Sequence, residues 1–352
     1  HVSDLPGQIT KDRLAQTVHR TEVAHQRTRR KQDRKRTDAP KTVVSSLAPL
    51  PSAGASRIVF LGTPEIAVPY LEALVAGGLK VELVVTRPDV RRGRGNEVSA
   101  SPVKIAAQKL DLPVSHDASD VLKVATDQKN LVGVVVAFGE LISEEVLAQI
   151  PMVNVHFSLL PRWRGAAPVE RAILAGDDAT GVCIMRVVEK LDEGEVYARQ
   201  EVAIDNNDNV ESLKAKLNAV AIKLLLDKIK NGFGDGVSQT GEPSYAKKIK
   251  PIDLQIDWSK SAEQIARQVR VGGAFTFING RRIKVLGARV MSEVSKDLKP
   301  GQVCEVDKTT CCIATGKGVL SLIEVQPEGK SVMKIEEWLN GARLTVESVF
   351  GI

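Results

Sequence analysis

The chain has 352 residues, of which 43% are apolar and 26% are charged, a balance typical of a folded globular protein. That length is too great for one small core, so it predicts two folded domains besides any tail. No apolar run approaches the ~20 residues of a membrane span, and no signal-peptide core is visible, so we expect neither a membrane partner nor secretion.

Residues 1–56 differ in composition from the rest of the chain. They contain 11 Lys and Arg against 5 Asp and Glu, in stretches such as "HRTEVAHQRTRRKQDRKRTDAPK", and they end in the Pro/Ser/Ala-rich "SSLAPLPSAGAS". Clustered like charge with low hydrophobicity cannot bury enough surface to fold. We therefore expect a disordered basic extension and linker over 1–56, without a catalytic role.

From Arg57 onward, apolar strands alternate with amphipathic helices over residues 57–231. The strand candidates begin with "RIVFLG", "KVELVVT", "LVGVVVAFG" and "MVNVHF", and the helices between them include "SPVKIAAQKL" and "SEEVLAQI", with Ser101 and Ser143 as N-caps. Two further strands, "TGVCIMRVV" and "EVYARQEVAI", precede a long helix, "NVESLKAKLNAVAIKLLLDKIKNG". This order predicts an α/β domain with a Rossmann-like, mostly parallel sheet.

A Gly-rich linker over 232–245 separates that domain from a second one over 246–352. There "IDWSKSAEQIARQVR" predicts a helix, short β-like pieces such as "TFINGRRIKVLGARV" and "CCIATGKGVLSLIEVQ" follow, and "SVMKIEEWLNG" predicts a closing helix. Short strands with Gly-rich turns predict a small β-barrel. This domain has 17 Lys and Arg against 12 Asp and Glu, an excess that favours a polyanionic partner.

The chain has four cysteines, Cys183, Cys304, Cys311 and Cys312, and none of them forms a CxxC pair. We expect reduced thiols rather than a disulfide framework or a metal site. Reduced thiols are typical of a cytoplasmic protein.

The most unusual stretch is "NVHFSLLPRWRGAAP", residues 154–168. Asn154 and His156 end a predicted strand and, two residues apart, point to the same face, at the strand end where α/β sheets bind ligands. An amide can hold a carbonyl-derived oxygen, and an imidazole can transfer a proton near neutral pH. A lone strand-end histidine is more often structural, so a catalytic interpretation needs a carboxylate partner. The segment "VVEKLDEGEVY" offers Asp192, with Glu189, Glu193 and Glu195 as rivals that the residues alone do not exclude.

Together, "NVHFSLLPRWRGAAPVERAILAG", "TGVCIM" and "LDEG" resemble the signature of the methionyl-tRNA formyltransferase family. The resemblance extends upstream through "RIVFLGTPEIA" and "VVTRPDVRRGRG", and downstream through "SYAKKI" and "IDWSKSAEQIARQVR", so that it covers residues 57–352. It implies a formyltransferase fold followed by an OB-like C-terminal barrel. It also implies transfer of a formyl group from 10-formyltetrahydrofolate to the α-amine of methionine on initiator tRNA, for translation initiation.

The resemblance also assigns roles to residues of this chain. Asn154, His156 and Asp192 match the family's catalytic positions, with no metal required. The stretch that contacts the folate is matched by Ser158, Leu159, Leu160 and Pro161. The loop that enters near the tRNA acceptor stem is matched by "RPDVRRGRG", with Arg87, Arg91, Arg92 and Arg94 as tRNA-binding residues. The basic face of the barrel is implied to hold tRNA as well, and the protein to be a monomer.

The chain departs from the family pattern at three places. Around the aspartate it has "KLDEG", with Lys190 and Glu193, where the family usually has Gly-Leu-Asp-Thr-Gly. The segment "VRVGGAFTF" lacks the usual Pro-rich connection before the barrel. "RGRGNE" has Asn96 and Glu97 where basic residues are frequent.

Three other functions compete with this interpretation. Another formyltetrahydrofolate-dependent formyltransferase would act on an amino sugar or a glycinamide nucleotide. A formyltetrahydrofolate hydrolase would use water as the nucleophile and could share Asn154, His156 and Asp192. A non-catalytic RNA-binding protein would need none of these three together.

Overall fold

The structure of this chain is a computed structural model, and it describes residues 47–92, 97–124, 129–291 and 298–351. Within these residues, no helix combines the length and apolar character needed to cross a membrane. The predicted extension over 1–56 lies outside the described residues except for its last ten.

Strands and helices alternate through the first domain, and strands predominate in the second. The strands are β1 Arg57–Gly62, β2 Lys80–Val85, β3 Val90–Arg92, β4 Glu97–Ser99, β5 Val114–Ser115, β6 Leu131–Val136, β7 Met152–His156, β8 Ala179–Arg186, β9 Val196–Ala203, β10 Phe275–Ile278, β11 Arg281–Met291, β12 Val303–Val306, β13 Cys311–Ala314, β14 Val319–Pro327 and β15 Met333–Lys334. The α-helices are α1 Val68–Ala76, α2 Pro102–Lys109, α3 Val121–Val124, α4 Glu144–Gln149, α5 Pro168–Ala175, α6 Val210–Asn231, α7 Pro251–Leu254, α8 Ala262–Val271 and α9 Ile335–Ala342.

The first domain is built on one sheet, which in the described residues has seven strands in the order β5-β2-β1-β6-β7-β8-β9. The ladders from β5 to β7 are parallel, whereas β7–β8 and β8–β9 are antiparallel. The predicted mostly parallel, Rossmann-like sheet is thereby confirmed. The antiparallel pairing of β8 with β9 follows from the chain path, since the short loop that joins them cannot form a crossover.

Helices cover both faces of this sheet. One face packs against α1, α2, α5 and α6, with Leu71, Val103, Ile173 and Leu217 in a common core. The other face packs against α3 and α4. Burial on both sides explains why β6, "LVGVVV", is apolar throughout rather than alternating.

The helix starts agree with the predicted capping residues. The Ser101 hydroxyl accepts a hydrogen bond from the Lys104 amide at 3.0 Å, and that of Ser143 accepts one from the Val146 amide at 3.4 Å. Each cap satisfies an amide that the first helical turn leaves unpaired. The long helix α6 begins with a reciprocal capping box that involves the residues on either side of its first turn, Asn209 and Ser212.

The second domain contains an antiparallel sheet in the order β10-β11-β14-β13-β12, with β15 paired to β14. Helix α8 packs on it through Ile265 and Val269. The connection from α8 to β10 contains Gly272 and Gly273, whose φ angles of 91° and 76° favour glycine. This short turn stands where the family usually has a Pro-rich segment, and the strands of the predicted small barrel follow it.

Residues 348–351 connect the two edges of this second sheet. The Val303 amide donates to the Ser348 carbonyl at 2.9 Å, and the Phe350 amide donates to Gly301 at 2.7 Å. On the other side, the Gly351 amide donates to the Phe277 carbonyl at 2.8 Å. This closing segment therefore lies between β10 and the start of β12.

The last part of the predicted extension, residues 47–56, packs against the first domain. The Ala48 amide donates to Leu147 at 3.2 Å, and the Ala55 amide donates to Ile229 at 2.7 Å. The buried Arg186 guanidinium donates to the Ala48 carbonyl. These residues are thus ordered on the domain rather than separate from it, because backbone hydrogen bonds and small apolar side chains suffice to hold them. The limits drawn at 57–231, 232–245 and 246–352 stay predictions.

Two local elements differ from the sequence-based expectation. The helix expected over "IDWSKSAEQIARQVR" begins only at Ala262, because Ser261 caps it and Asp257 holds a turn before it by accepting from the Ser259 amide. The arginine-rich "RPDVRRGRG", expected to be a loop, contains β3, which pairs with β4 as a hairpin.

Candidate active site

Strand β7 brings Asn154 and His156 to the end of the sheet, as predicted. It lies between parallel β6 and antiparallel β8, with Asn154 opposite Val135 and Met185. His156 is buried, whereas Asn154 is partly exposed. Within the described residues the Asn154 amide makes no side-chain hydrogen bond, which leaves it available to a ligand.

His156 lies beside Asp192 in a buried environment. The distance from His156 Nδ1 to Asp192 Oδ2 is 3.6 Å, and the two side chains are only 6% and 8% exposed. The other ring nitrogen, Nε2, lies 2.9 Å from the Trp163 carbonyl oxygen. Because a carbonyl can only accept, Nε2 carries a proton, and Nδ1 is the ring nitrogen left to exchange one next to the carboxylate.

The loop between β8 and β9 distinguishes Asp192 from Glu193 and Glu195, two of the three glutamates that the residues left open. Asp192 Oδ2 accepts a hydrogen bond from the Gly165 amide at 2.7 Å. Glu193 instead pairs with Arg164 at 3.0 Å, and Glu195 accepts from the Tyr197 hydroxyl at 3.2 Å. Of these three acids, only Asp192 faces His156.

Gly165 is the one position in this stretch where the close approach requires glycine. Its φ is 115°, and an added Cβ would lie 3.0 Å from the Ala246 carbonyl oxygen. A larger residue would move the amide that holds Asp192.

The segment "RWRG" after the strand supports the His156–Asp192 pair. The buried Ser158 hydroxyl donates to the Arg162 carbonyl. Asp177 accepts from both Arg162 Nε, at 2.9 Å, and Trp163 Nε1, at 2.8 Å; its hydrogen bond raises the pKa of Arg162. These interactions fix the turn whose Trp163 carbonyl meets the histidine.

Arg164 is not a solvated surface residue, since its side chain is only 11% exposed. Its Nε and Nη2 donate to Gln239 Oε1 at 3.0 and 2.7 Å. Its backbone amide donates to the Ser244 carbonyl at 2.9 Å, and its own carbonyl accepts from Ala246 at 2.7 Å. Arg164 therefore joins the site to the predicted linker.

Gln239 and Ser244 are site residues that the sequence alone does not reveal. Gln239 Nε2 donates to the carbonyls of Asp192 and Gly194, each at 2.8 Å, and Ser244 Oγ accepts from the Trp163 amide at 2.9 Å. Both lie in a Gly-rich stretch whose composition predicts a connection. No periodicity in that stretch indicates that it folds back onto the first domain.

The unusual charges of "KLDEG" form an ion-paired group beside the catalytic candidates. Glu193 Oε1 pairs with Arg164 Nη1 at 3.0 Å, and Glu193 Oε2 lies 3.9 Å from Lys190 Nζ. The added acid and base are thus neutralised locally, and Asp192 remains the carboxylate that faces the imidazole.

The predicted folate stretch lies along a groove of about 510 Å³. Leu159, Leu160 and Pro161 line it together with β9 and the linker, and Gln239 lines its side toward the Asp192 loop. Ser158, in contrast, is fully buried and is not among the residues that line the groove. The volume falls in the range typical of small-molecule sites.

Of the predicted tRNA-binding arginines, two lie on β3 and one lies just before it. Arg87 is 53% exposed and pairs with Glu140 at 3.2 Å. Arg91 and Arg92 are on β3, and Arg94 lies outside the described residues. Their role stays a prediction.

The cysteines do not contribute a reactive group to the site. All four are free thiols, and burial raises the pKa of Cys311 to about 12 and also raises that of Cys183. Across the described ranges, no group of His, Cys, Asp and Glu is placed to hold a metal ion.

Comparison with known proteins assigns both domains to one family. The family described as formyl transferase matches residues 56–229, and its C-terminal domain matches 248–343. A methionyl-tRNA formyltransferase of Coxiella burnetii is 40% identical over 300 residues, or 81% of this chain and 95% of that protein. A methionyl-tRNA formyltransferase of Heliobacterium modesticaldum is 38% identical over 315 residues, or 84% of this chain and 100% of that protein.

Solved structures of other proteins share the fold. An N-formyltransferase from Helicobacter canadensis has a TM-score of 0.58 at 19% identity, covering 78% of this chain and 99% of that one. HypX from Aquifex aeolicus has a TM-score of 0.57 at 17% identity, and the match covers 82% of this chain and 48% of HypX. Sequence and fold thus agree with the resemblance seen in the motifs: the chain is a formyl-transferring enzyme and belongs to the methionyl-tRNA formyltransferase family.

Proposed function

We propose that the chain transfers the formyl group of 10-formyltetrahydrofolate to the α-amino group of methionine on initiator tRNA. Asn154, His156 and Asp192 carry the chemistry. The observation that supports this most directly is the buried His156–Asp192 pair, with 3.6 Å between Nδ1 and Oδ2, at the end of β7 two residues beyond Asn154.

Asn154 acts on the oxygen of the formyl group. When the amine attacks the formyl carbon, the carbonyl oxygen becomes an oxyanion, and an amide N–H aimed at it stabilises the charge. One such donor lowers the activation free energy by ~2.7–4 kcal/mol. Asn154 is suited to this because its amide has no competing partner among the described residues.

His156 and Asp192 handle the proton of the attacking amine. The amine becomes cationic as its bond to the formyl carbon forms, and it must lose a proton. Nδ1 of His156 can take this proton, because Nε2 is engaged by the Trp163 carbonyl and the nearby carboxylate stabilises the imidazolium. The proton then passes to the folate nitrogen as the old carbon–nitrogen bond breaks, giving tetrahydrofolate.

The two substrates bind on different parts of the enzyme. The groove along Leu159–Pro161 holds the folate. Arg91 and Arg92 of the hairpin, together with Arg87 and Arg94, meet tRNA phosphates. The basic second domain adds further charge for the tRNA. We also propose that the enzyme works as a monomer in the cytoplasm, where charged initiator tRNA is present and free thiols persist.

The test compares the proposed acceptor with two acceptors that competing functions would use. The purified chain is supplied with 10-formyltetrahydrofolate and with methionyl initiator tRNA, an amino sugar nucleotide, or water alone. We expect formylmethionyl-tRNA in the first reaction and background rates in the others. Formylation of the sugar alone would identify another formyltransferase, and free formate without tRNA would identify a hydrolase.

A further inference from the structure

We propose that Gln239, in the linker between the domains, is a positioning residue for the formyl transfer. It holds the loop of Asp192 so that the carboxylate faces His156. This inference rests on the proposed function. It adds a residue that lies 47 positions beyond Asp192 along the chain.

The side-chain amide of Gln239 forms hydrogen bonds at both of its polar ends. Its nitrogen donates to the backbone carbonyls of Asp192 and Gly194, each at 2.8 Å. Its oxygen accepts from Nε and Nη2 of Arg164 at 3.0 and 2.7 Å. Two donors and two acceptor positions are thereby used, which is the full capacity of the group.

These partners permit only one orientation of the amide. Turned over, its nitrogen would meet the Arg164 guanidinium, a donor against a donor, and its oxygen would meet two carbonyls. Gln239 therefore connects a cation on one side of the site to the Asp192 loop on the other, and no hydrophobic side chain could replace it.

The linker is fixed just before Gln239. Val237 and Val196 exchange two backbone hydrogen bonds of 2.9 Å each, so that the linker continues the edge of β9. Five residues after Gln239, Ser244 holds the Trp163 amide. Gln239 thus reaches the loop from a stretch anchored at both ends.

The Asp192 loop needs such support because its backbone is strained. Asp192 has φ of 54°, a left-handed conformation that persists only when the surroundings determine it. The Gly165 amide holds the carboxylate, and Gln239 holds the backbone on both sides of Glu193. Without Gln239 the carboxylate would move away from His156.

The first test is Gln239→Ala. We expect kcat to fall ~10–100-fold, because a displacement near 1 Å can cost two orders of magnitude, while KM for tRNA and for folate changes less than ~3-fold. Gln149→Ala, which removes the same group from an exposed position at the end of α4, should leave both constants unchanged. A rise in the folate KM without a loss of kcat would overturn the proposal in favour of a binding role in the groove.

The second variant, Gln239→Glu, separates support of the loop from support of Arg164. The glutamate keeps its pairing with Arg164 but has neither donor to the loop. We expect a kcat as low as that of Gln239→Ala, because a glutamate oxygen would face the two carbonyls to which the amide nitrogen now donates. Wild-type kcat in Gln239→Glu would show that the hydrogen bonds to the loop are dispensable, and would overturn the proposal.

A double-mutant cycle with Asp192→Asn tests whether Gln239 acts through Asp192. If it does, Gln239→Ala should lower kcat by less than ~3-fold in the Asp192→Asn background, whereas a general structural effect would multiply the two losses.

Amide hydrogen exchange over residues 188–195 provides a readout that needs no activity. We expect faster exchange there in Gln239→Ala, and unchanged exchange would overturn the proposal. This readout is independent of the proposed function, which alone would be refuted if the wild type formylated no tRNA.

Discussion

The Asp192 loop and the β3–β4 hairpin both lie near the ends of strands of the first sheet, yet they are held in different ways. Partly buried hydrogen bonds from Gly165 and Gln239 hold the loop, and the Arg186 amide donates to the Glu195 carbonyl at its far end. The segment entering the hairpin is tied by an ion pair between Arg87 and Glu140, whose side chains are 53% and 38% exposed.

This difference corresponds to what each part is proposed to do. A carboxylate that must stabilise one imidazole needs a fixed distance, and low exposure keeps its charge unscreened. Arginines that meet phosphates need charge but no unique geometry, and an exposed ion pair of ~0–1 kcal/mol leaves them free to rearrange. Substitutions in the two regions should therefore change different kinetic constants.

The largest effect is expected for His156→Ala. Loss of the proton acceptor should lower the rate of formylation ~10³-fold or more, while binding of methionyl-tRNA survives, because the arginines and the second domain are untouched. Initial rates with charged tRNA and a filter-binding titration measure the two quantities. Unchanged turnover would remove His156 from the mechanism, and a parallel loss of tRNA binding would indicate misfolding instead.

Asn154→Ala should rank next. Removing one oxyanion donor lowers kcat by ~10²–10³-fold and should leave the KM for both substrates nearly constant. Steady-state kinetics test this against Asn154→Gln, which keeps the amide but displaces it. If the loss appears in KM alone, the amide binds substrate without acting on the transition state.

The hairpin should respond through binding. Replacing Arg91, Arg92 and Arg94 together by alanine should raise the KM for tRNA ~10-fold or more and leave the KM for folate unchanged. The slope of the logarithm of the association constant for tRNA against the logarithm of the salt concentration should become shallower by ~2–3. This is about one unit for each phosphate that is no longer neutralised. Lys223→Ala, which removes a single charge on the exposed side of α6, serves as control. An unaltered salt slope would exclude these arginines from the tRNA interface.

The smallest effect concerns another partly exposed ion pair. Hydrogen bonds from the Lys250 amide and from Arg171 lower the pKa of Asp253 in the folded protein. Because the folded pKa is lowered, the Arg171–Asp253 pair stabilises the fold at pH values above the ordinary carboxyl pKa of about 3.8. This contribution is lost as the pH falls through the lowered pKa of the folded protein. We expect less than ~1 kcal/mol, measured as the difference in urea midpoint between the wild type and Asp253→Asn from ~pH 6 to ~pH 3. A difference that grows toward low pH would reverse the assigned sign.

Much of the first domain could be predicted because its signals are local. β1 covers the six residues of "RIVFLG", and Ser101 and Ser143 cap the helices that they were expected to begin. The spacing of Asn154 and His156 on one strand also sufficed to place both at the end of the sheet. Such features depend on neighbours within a few residues, which a sequence displays directly.

The remaining parts depend on interactions between distant segments. The residues left Asp192 and its neighbouring glutamates equivalent, and only the fold turns Glu193 toward Arg164. Gln239 lies 47 residues from Asp192 along the chain, in a stretch whose composition indicates only a connection. Nor does an apolar pattern specify strand direction, so the antiparallel pairing of β7 with β8, across an intervening helix, could not be identified in advance.

The segment at residues 348–351 has a consequence for the order in which the two domains can mature. Its backbone joins Phe277 to Gly301 and Val303, so the barrel lacks a seam until these residues emerge from the ribosome. The first sheet and the linker hydrogen bonds that support its site can be complete once Ala246 has emerged from the ribosome. Domains commonly fold as units, the N-terminal one first. A nascent chain can therefore hold a formed His156–Asp192 pair before its second domain is complete.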